Sequence, residues 1–330
     1  MLGNPAEPDE RRHGDQAETV TLRRDPLTGD RVLVASDREL RPFQFSAAPA
    51  LEDDPPSCPF CPANEAETPE PRVDYGVREG NWSCRVVPNR YPAVEGELGR
   101  HGVIIESSRH VLSWTGLTPH EQQSTLVAYR DQLRRAAADG FAYTQLFKNS
   151  GAEAGASLAH SHSQLLATGD VPTRVQAELA GAATYLRSHG RCFFCECLGE
   201  TAERVVARTD RLTAFCPYAS RFAYEVWVAP NRHESRFELA DDRLLAELAD
   251  LLHRIVGAWE EMIADVSYNW LLHTAPAVGS PSVDESYHWH FELIPRVAKL
   301  AGFELATDQY INTVDPAEAA ERLAERLADR

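Results

Sequence analysis

The chain has 330 residues, 43% hydrophobic and 25% charged, a balance that provides ample capacity for a buried core. Lys and Arg number 33 against 50 Asp and Glu, which excludes broad electrostatic attraction to nucleic acid or anionic membrane, so any anionic ligand must be gripped locally. No run reaches the roughly 20 apolar residues of a membrane span, and the opening "MLGNPAEPDERRHGDQAE" lacks the apolar core of a signal peptide, so a cytoplasmic location is expected.

Residues 1–20 are polar and without apolar period, as in a flexible tail. "LTGDRVLVASDRELRPF" reads as a hairpin strand followed by a basic turn. Cys58 and Cys61 form a C-x-x-C pair, followed by the strand-like "WSCRVVPNRYPAV", the strand "GVIIES" ending near His110, and the helix "TPHEQQSTLVAYRDQLRRAAAD". "YTQLFKN" and the strand "HSHSQ" complete this half. Cys192 and Cys195 open a second round: "RLTAFCPYASRFA", "YEVWVAP" ending near His233, the helix "DDRLLAELADLLHRIVGAWEEM", "YNWLLHTAP" and "SYHWHFELIPR". Thr118 before Pro119, and Asp241 or Asp242, are the expected helix caps. In the tail, Asp315 caps a helix with Pro316 at its first position and Ala320, Leu323, Ala324 and Leu327 on one face. The chain therefore reads as two α+β halves with one plan, residues 21–185 and 186–330.

In a chain without an export signal, two C-x-x-C pairs point to metal more than to disulfides. Each pair supplies two thiolates, and histidines on nearby strands could complete a tetrahedral zinc site. In "HSHSQ", an extended strand would turn His160, His162 and Gln164 to one face. Both histidines could be ligands, one could be a ligand and the other a nucleophile, or both could be satisfied core residues. A neutral imidazole is a usable nucleophile near pH 7, and attack on phosphorus would give a phosphoramidate. Upstream, "FKNSGAEAGAS" places glycines at 151 and 155 with Asn149 and Ser157 as donors, and "DRELRP" offers Arg38 and Arg41 for bidentate phosphate contacts. The second half keeps the alternation at His288 and His290 but has Glu292 where the first has Gln164, which suggests one catalytic and one structural copy.

The order of "RRDPLTGDRVLVASDRELRPF", "CPFCPANE", "NRYPA", "FKNSGAEAGASLAHSHSQ", "HTAP" and "GFELATDQYIN" resembles the galactose-1-phosphate uridylyltransferase branch of the histidine-triad superfamily. The resemblance implies a duplicated histidine-triad-like α+β fold, with an antiparallel sheet and packed helices in each half. It also implies a nucleotidyltransferase acting on nucleoside diphosphate sugars. By position, His162 would become nucleotidylated and Gln164 would orient the phosphoryl group. Cys58, Cys61, His110 and His160 would hold one structural zinc. Arg38, Arg41, Asn149 and Ser157 match phosphate and nucleotide contacts, Asn89 a substrate contact, and Glu304 and Gln309 sugar contacts.

"HSHSQ", where typical members have His-Pro-His-Gly-Gln, together with the second C-x-x-C pair, is closer to ADP-glucose phosphorylase-like members. These imply a second zinc at Cys192, Cys195, His233 and His288. Typical members instead use a glutamate and three histidines, here Glu178, His273, His288 and His290, so two ligand sets compete for His288. The cysteine set is preferred because thiolates bind zinc strongly. Arg90 stands where typical members carry an acidic residue. The acceptor is expected to be a hexose 1-phosphate, as in uridylyltransferases, or inorganic phosphate, as in an ADP-sugar phosphorylase. A zinc-stabilised nucleotide-binding protein without turnover and a hydrolase are the other readings. The resemblance also implies a homodimer.

Overall fold

Tyr143–Ser150 alternates buried and half-buried residues, the signature of a strand between two covered faces, and lies at the centre of the molecule. The computed structural model describes residues 20–36, 53–70, 73–79, 81–200, 202–278 and 281–328. Its first half contains β1 (Val20–Arg24), β2 (Arg31–Ala35), β3 (Val73–Tyr75), β4 (Cys84–Pro88), β5 (Gly99–Ile105), helix α1 (Pro119–Ala138), β6 (Tyr143–Ser150) and β7 (His162–Thr168). Helices α2 (Thr173–His189) and α3 (Phe193–Glu200) follow, then β8 (Val205–Arg208), β9 (Leu212–Phe215), β10 (Val226–Pro230), α4 (Asp242–Met262) and β11 (Tyr268–His273). The chain continues through α5 (Pro281–Ser286), β12 (His290–Pro295), α6 (Gly302–Thr307), β13 (Gln309–Asn312) and α7 (Pro316–Ala328).

Ten strands form one sheet in the order β3-β4-β5-β7-β6-β11-β12-β10-β9-β8, its strand pairs antiparallel. Read outward from the centre, β6-β7-β5-β4-β3 and β11-β12-β10-β9-β8 are the same arrangement, so the two half-sheets of a duplicated fold meet edge to edge at β6 and β11. The registers also correspond: Val103 faces Gln164, and Trp227 faces Glu292. A separate three-stranded sheet joins β1 and β2 to β13, which runs parallel to β2.

Helix α1 begins with a reciprocal capping box, Thr118 and Glu121 each satisfying the other's backbone N–H, with Pro119 at the first position. Asp241 caps α4 by accepting the Leu244 N–H at 2.8 Å. The two helices pack together on one face of the sheet, where Trp114, Trp259, Trp270 and Trp289 are fully buried. At roughly 25 cal/mol per Å² of apolar surface removed from water, this cluster is the main stabilising mass. Helix α7, packed against β8 and α4, adds Ala319, Ala320, Leu323 and Leu327, with Ala319 taking the buried position expected of Ala324.

Two features differ from the pattern read in the sequence. The strand of "HSHSQ" begins at His162, so His160 lies in the preceding loop. Helix α2 lacks a side-chain cap, although Gly190 closes it in the left-handed conformation. That helix passes so close to the β1–β2 turn that a Cβ on Gly181 would lie 1.9 Å from the Leu27 carbonyl oxygen. No described helix is long and apolar enough to cross a membrane. Residues 1–19 and the basic turn with Arg38 and Arg41 lie outside the described residues.

Candidate active site and metal centres

The turn Cys58–Cys61 and the loops flanking β5 and β7 bring Cys58, Cys61, His110 and His160 together, their ligand atoms all within 4.8 Å of one another. Cys58 Sγ lies 3.4 Å from His160 Nδ1, and Cys61 Sγ 3.2 Å from His110 Nδ1. The opposite ring nitrogens are anchored: His160 Nε2 donates to the Ser107 carbonyl at 3.0 Å and His110 Nε2 to the Asp53 carboxylate at 3.0 Å. Each anchor leaves the Nδ1 lone pair aimed at the thiols, the outer-shell arrangement that orients metal-binding imidazoles. Burial and the adjacent Cys58 push the Cys61 thiol up to about 11, the reverse of what a bound cation would do.

The second half repeats this set. Cys195 Sγ lies 3.4 Å from His233 Nδ1, and His288 Nδ1 lies 3.9 Å from Cys192 Sγ and 3.8 Å from Cys195 Sγ. His233 Nε2 donates to the Asp284 carbonyl and His288 Nε2 to the Pro230 carbonyl, at 2.8 and 2.9 Å. His288 therefore sits with the cysteines, while Glu178, His273 and His290 form a separate group. Both Cys/His clusters could bind metal: soft thiolates and borderline imidazoles form a donor set suited to such an ion.

His162, 5% exposed, follows the first cluster by two residues. Its Nδ1–H donates to the His160 carbonyl at 2.8 Å, so the Nε2 lone pair is available. Burial pushes its pKa down, keeping the ring neutral near pH 7. One residue pair further along the same strand face, Gln164 Oε1 lies 2.9 Å from His101 Nε2, on β5. Asn89, in the turn after β4, packs its side chain against the His101 ring and accepts the Tyr91 N–H at 2.8 Å.

Behind the strand, on the helix side, runs a fully buried polar chain that sequence reading did not find. Lys148 Nζ donates to Glu106 at 2.5 Å, to Ser161 Oγ at 2.9 Å and to the His162 carbonyl at 3.2 Å. Ser161 and Ser163 both donate to Glu106; Tyr129 joins Ser163, and Trp270 donates to Tyr129 at 3.2 Å. The serines of "HSHSQ" thus satisfy a buried carboxylate, while the histidines and glutamine serve the opposite face.

The equivalent positions in the second half have a different character. His290 Nδ1 donates to the His288 carbonyl at 3.1 Å, repeating His162, but its ring stacks on His273 and its Nε2 lies 3.7 Å from Glu178. His273 bridges Glu178 and Glu292 at 3.0 and 3.2 Å, and Arg221 pairs with Glu292. Burial alone would lower the His273 pKa, but the two carboxylates outweigh it and hold it up at about 10. Burial with the nearby Glu292 pushes Glu225 up to about 7. Where the first half offers a free imidazole and an amide, the second holds paired charges.

Asn149 accepts from Asn269 at 2.8 Å across the β6–β11 seam, beside the loop in which Ser157 is exposed. Gly151 enters this loop at φ +83°, and a Cβ there would lie 2.2 Å from Ser267 Oγ. Glu304 caps α6 through the Ala301 N–H at 3.1 Å, and Gln309 opens β13 beside Arg31, so both lie near the smaller sheet. Arg90 pairs with Glu67 at 3.0 Å.

Two family models match: "Galactose-1-phosphate uridyl transferase, N-terminal domain" over residues 11–172, and a domain of unknown function, DUF4921, over residues 105–330. ADP-glucose phosphorylase of Arabidopsis thaliana is 31% identical, with the alignment covering 94% of this chain and 95% of that protein. Galactose-1-phosphate uridylyltransferase of Thermotoga maritima is 27% identical, over 93% and 98% of the two chains. The crystal structure of an Arabidopsis thaliana ADP-glucose phosphorylase with bound ADP-glucose superposes with a TM-score of 0.85 at 32% identity, covering 93% of this chain and 99% of its own. With the duplicated sheet and the Cys/His clusters, these matches mean that the chain belongs to the galactose-1-phosphate uridylyltransferase family of nucleotidyltransferases.

Proposed function

We propose that the protein transfers a nucleoside monophosphate from a nucleoside diphosphate sugar through a covalent nucleotidyl-His162 intermediate. The observation that carries this reading is the hydrogen bond from His162 Nδ1 to the His160 carbonyl, which leaves Nε2 as the nucleophilic nitrogen. Its lone pair attacks the α-phosphorus, an N–P bond forms, and the P–O bond to the sugar 1-phosphate breaks with its electron pair on the departing oxygen. As the ring becomes cationic, the His160 carbonyl stabilises the Nδ1–H. A phosphate oxygen of the acceptor then displaces the imidazole, returning the lone pair to Nε2. Gln164, with Arg38, Arg41, Asn149, Ser157 and amides of the 151–157 loop, supplies donors to the phosphoryl oxygens, where most of the stabilisation of phosphoryl transfer lies. Asn89 contacts the substrate, and Glu304 and Gln309 its sugar, in a homodimer.

Cys58, Cys61, His110 and His160, and Cys192, Cys195, His233 and His288, would each hold one structural zinc ion. Bound by Cys58, Cys61, His110 and His160, such an ion would serve a structural role, and His160, held there, orients His162 through its carbonyl. The acceptor is a hexose 1-phosphate in the uridylyltransferase form of the reaction. Inorganic phosphate is the second reading, as in an ADP-sugar phosphorylase, favoured by the likeness to the Arabidopsis enzyme and by the second cysteine cluster standing apart from Glu178 and His290.

Intact mass after incubation with UDP-glucose or ADP-glucose, without acceptor and at neutral pH because phosphoramidates are acid-labile, tests the reading. The expected result is an added uridylyl or adenylyl group on the wild-type protein and none on His162→Ala. Wild-type turnover in His162→Ala would overturn it.

A further inference from the structure

We propose that His101 is a positioning residue that sets the orientation of the Gln164 amide, and so ties the turn at residues 89–93 to the grip on the transferred phosphoryl group. The proposal rests on the reading of His162 and Gln164 just given. The Ala93 backbone N–H donates to His101 Nδ1 at 3.0 Å, so that nitrogen carries no proton. The proton of the neutral ring must sit on Nε2, which lies 2.9 Å from Gln164 and therefore donates to its Oε1. An amide whose oxygen is held this way has only its NH2 left to offer, and that group is the hydrogen-bond donor a phosphoryl oxygen needs. With the tautomer reversed, the amide would turn over and present its oxygen to an anion.

The turn is fastened to His101 twice, by the Ala93 contact and by the Asn89 N–H donating to the His101 carbonyl at 3.0 Å. With Nε2 protonated, that nitrogen has no lone pair to accept from the Asn89 NH2 3.2 Å away, which is a packing neighbour and not a donor to it. Ligand contacts that settle this turn therefore settle His101 and, through it, Gln164. The second half shows what the pair replaces. Two residues before Trp227, the partner of Glu292, stands Glu225, just as His101 stands two before Val103, the partner of Gln164. A His–Gln pair with an outward donor corresponds to a Glu–Glu pair with none, and there Arg221 occupies the carboxylate.

The test is a double-mutant cycle in the full chain: His101→Ala, Gln164→Ala and both together, with single-turnover nucleotidylation of His162 and donor Kd measured using ADP-glucose and UDP-glucose. His101→Ala is expected to slow nucleotidylation about 10-fold, the loss of one hydrogen bond, with Kd changed less than about 2-fold. In the Gln164→Ala background the same replacement costs less than about 2-fold, because a positioning residue has nothing left to position. His101→Gln, which keeps a donor near the Nε2 position, restores the rate to within about 3-fold of wild type, and His101→Phe, which keeps the ring but not the donor, does not. Equal losses in both backgrounds, or no loss in His101→Phe, would overturn the proposal. A parallel His162→Ala sample separates the two levels: turnover there removes the nucleophile reading itself, whereas its absence alongside additive losses removes only the role of His101.

Discussion

The two halves share a sheet order, a cluster of two cysteines and two histidines, and a histidine whose Nδ1 donates to the carbonyl two residues before it. They differ in what surrounds that histidine. The strand of His162 carries the Gln164 amide two residues on; around His290 lie Glu178, Glu292 and Glu225, with Arg221 and a raised His273 to balance them. A phosphate brought to His290 would meet the carboxylates of Glu178 and Glu292, whereas the strand position equivalent to Glu292 in the first half carries the Gln164 amide. The comparison teaches that the backbone frame fixes the orientation of the histidine ring in both halves, while a few side chains set the charge that surrounds it.

The sharpest way to break this division is to remove each histidine in turn. His162→Ala is expected to lower turnover by at least about 10³-fold, as loss of a covalent nucleophile does. His290→Ala is expected to leave the folded protein active within a few-fold while costing about 2–3 kcal/mol of stability through the cavity it leaves; steady-state kinetics beside denaturant unfolding separates the two effects. A large loss of turnover in both would show that the second half takes part in chemistry.

Metal removal sharpens the same contrast at smaller amplitude. Cys58→Ser with Cys61→Ser should release one metal per chain and lower turnover about 10- to 100-fold, because His160 both faces that cluster and holds His162. Cys192→Ser with Cys195→Ser should release the other while turnover of the folded fraction stays within about 3-fold. Elemental analysis with kinetics on each variant decides it, and equal losses would dissolve the distinction between the clusters.

Exchanging the residues at the equivalent strand position probes single side chains. Gln164→Glu places a carboxylate where the phosphoryl group needs a donor and should slow nucleotidylation about 10-fold or more. Glu292→Gln leaves Arg221 and His273 without a full counter-charge and should cost about 3 kcal/mol of stability, read as a lower denaturant midpoint with little change in rate. If Glu292→Gln instead gained an adduct on His290, the acidic surroundings would be all that silences that half.

Much of this was legible because the signals are local. C-x-x-C spacing, Thr118 before Pro119, Asp241 and the alternation in "HSHSQ" each act within a few residues of themselves. The duplication could be read because strand order repeats along the chain. His101, Lys148 with Glu106, and Arg221 with Glu292 could not, since their partners lie 63, 42 and 71 residues away and no local pattern marks the pairing. His101 had one available sign, a polar residue on a strand face otherwise leading into Val103 and Ile105, but only the register with Gln164 gives it a role. Helix α2 was missed for lack of a capping side chain at its start.

The seam between β6 and β11 makes each half the cover of the other's edge. A half-sheet on its own would end in β6, a strand of eight residues with its hydrogen-bonding edge bare and its Asn149 without Asn269. β11 supplies the partner of that edge, so the second half-sheet completes the first whatever chemistry its own side chains carry, and its face can hold Glu178, His273, Glu292 and Arg221 as paired charges while the seam stays closed.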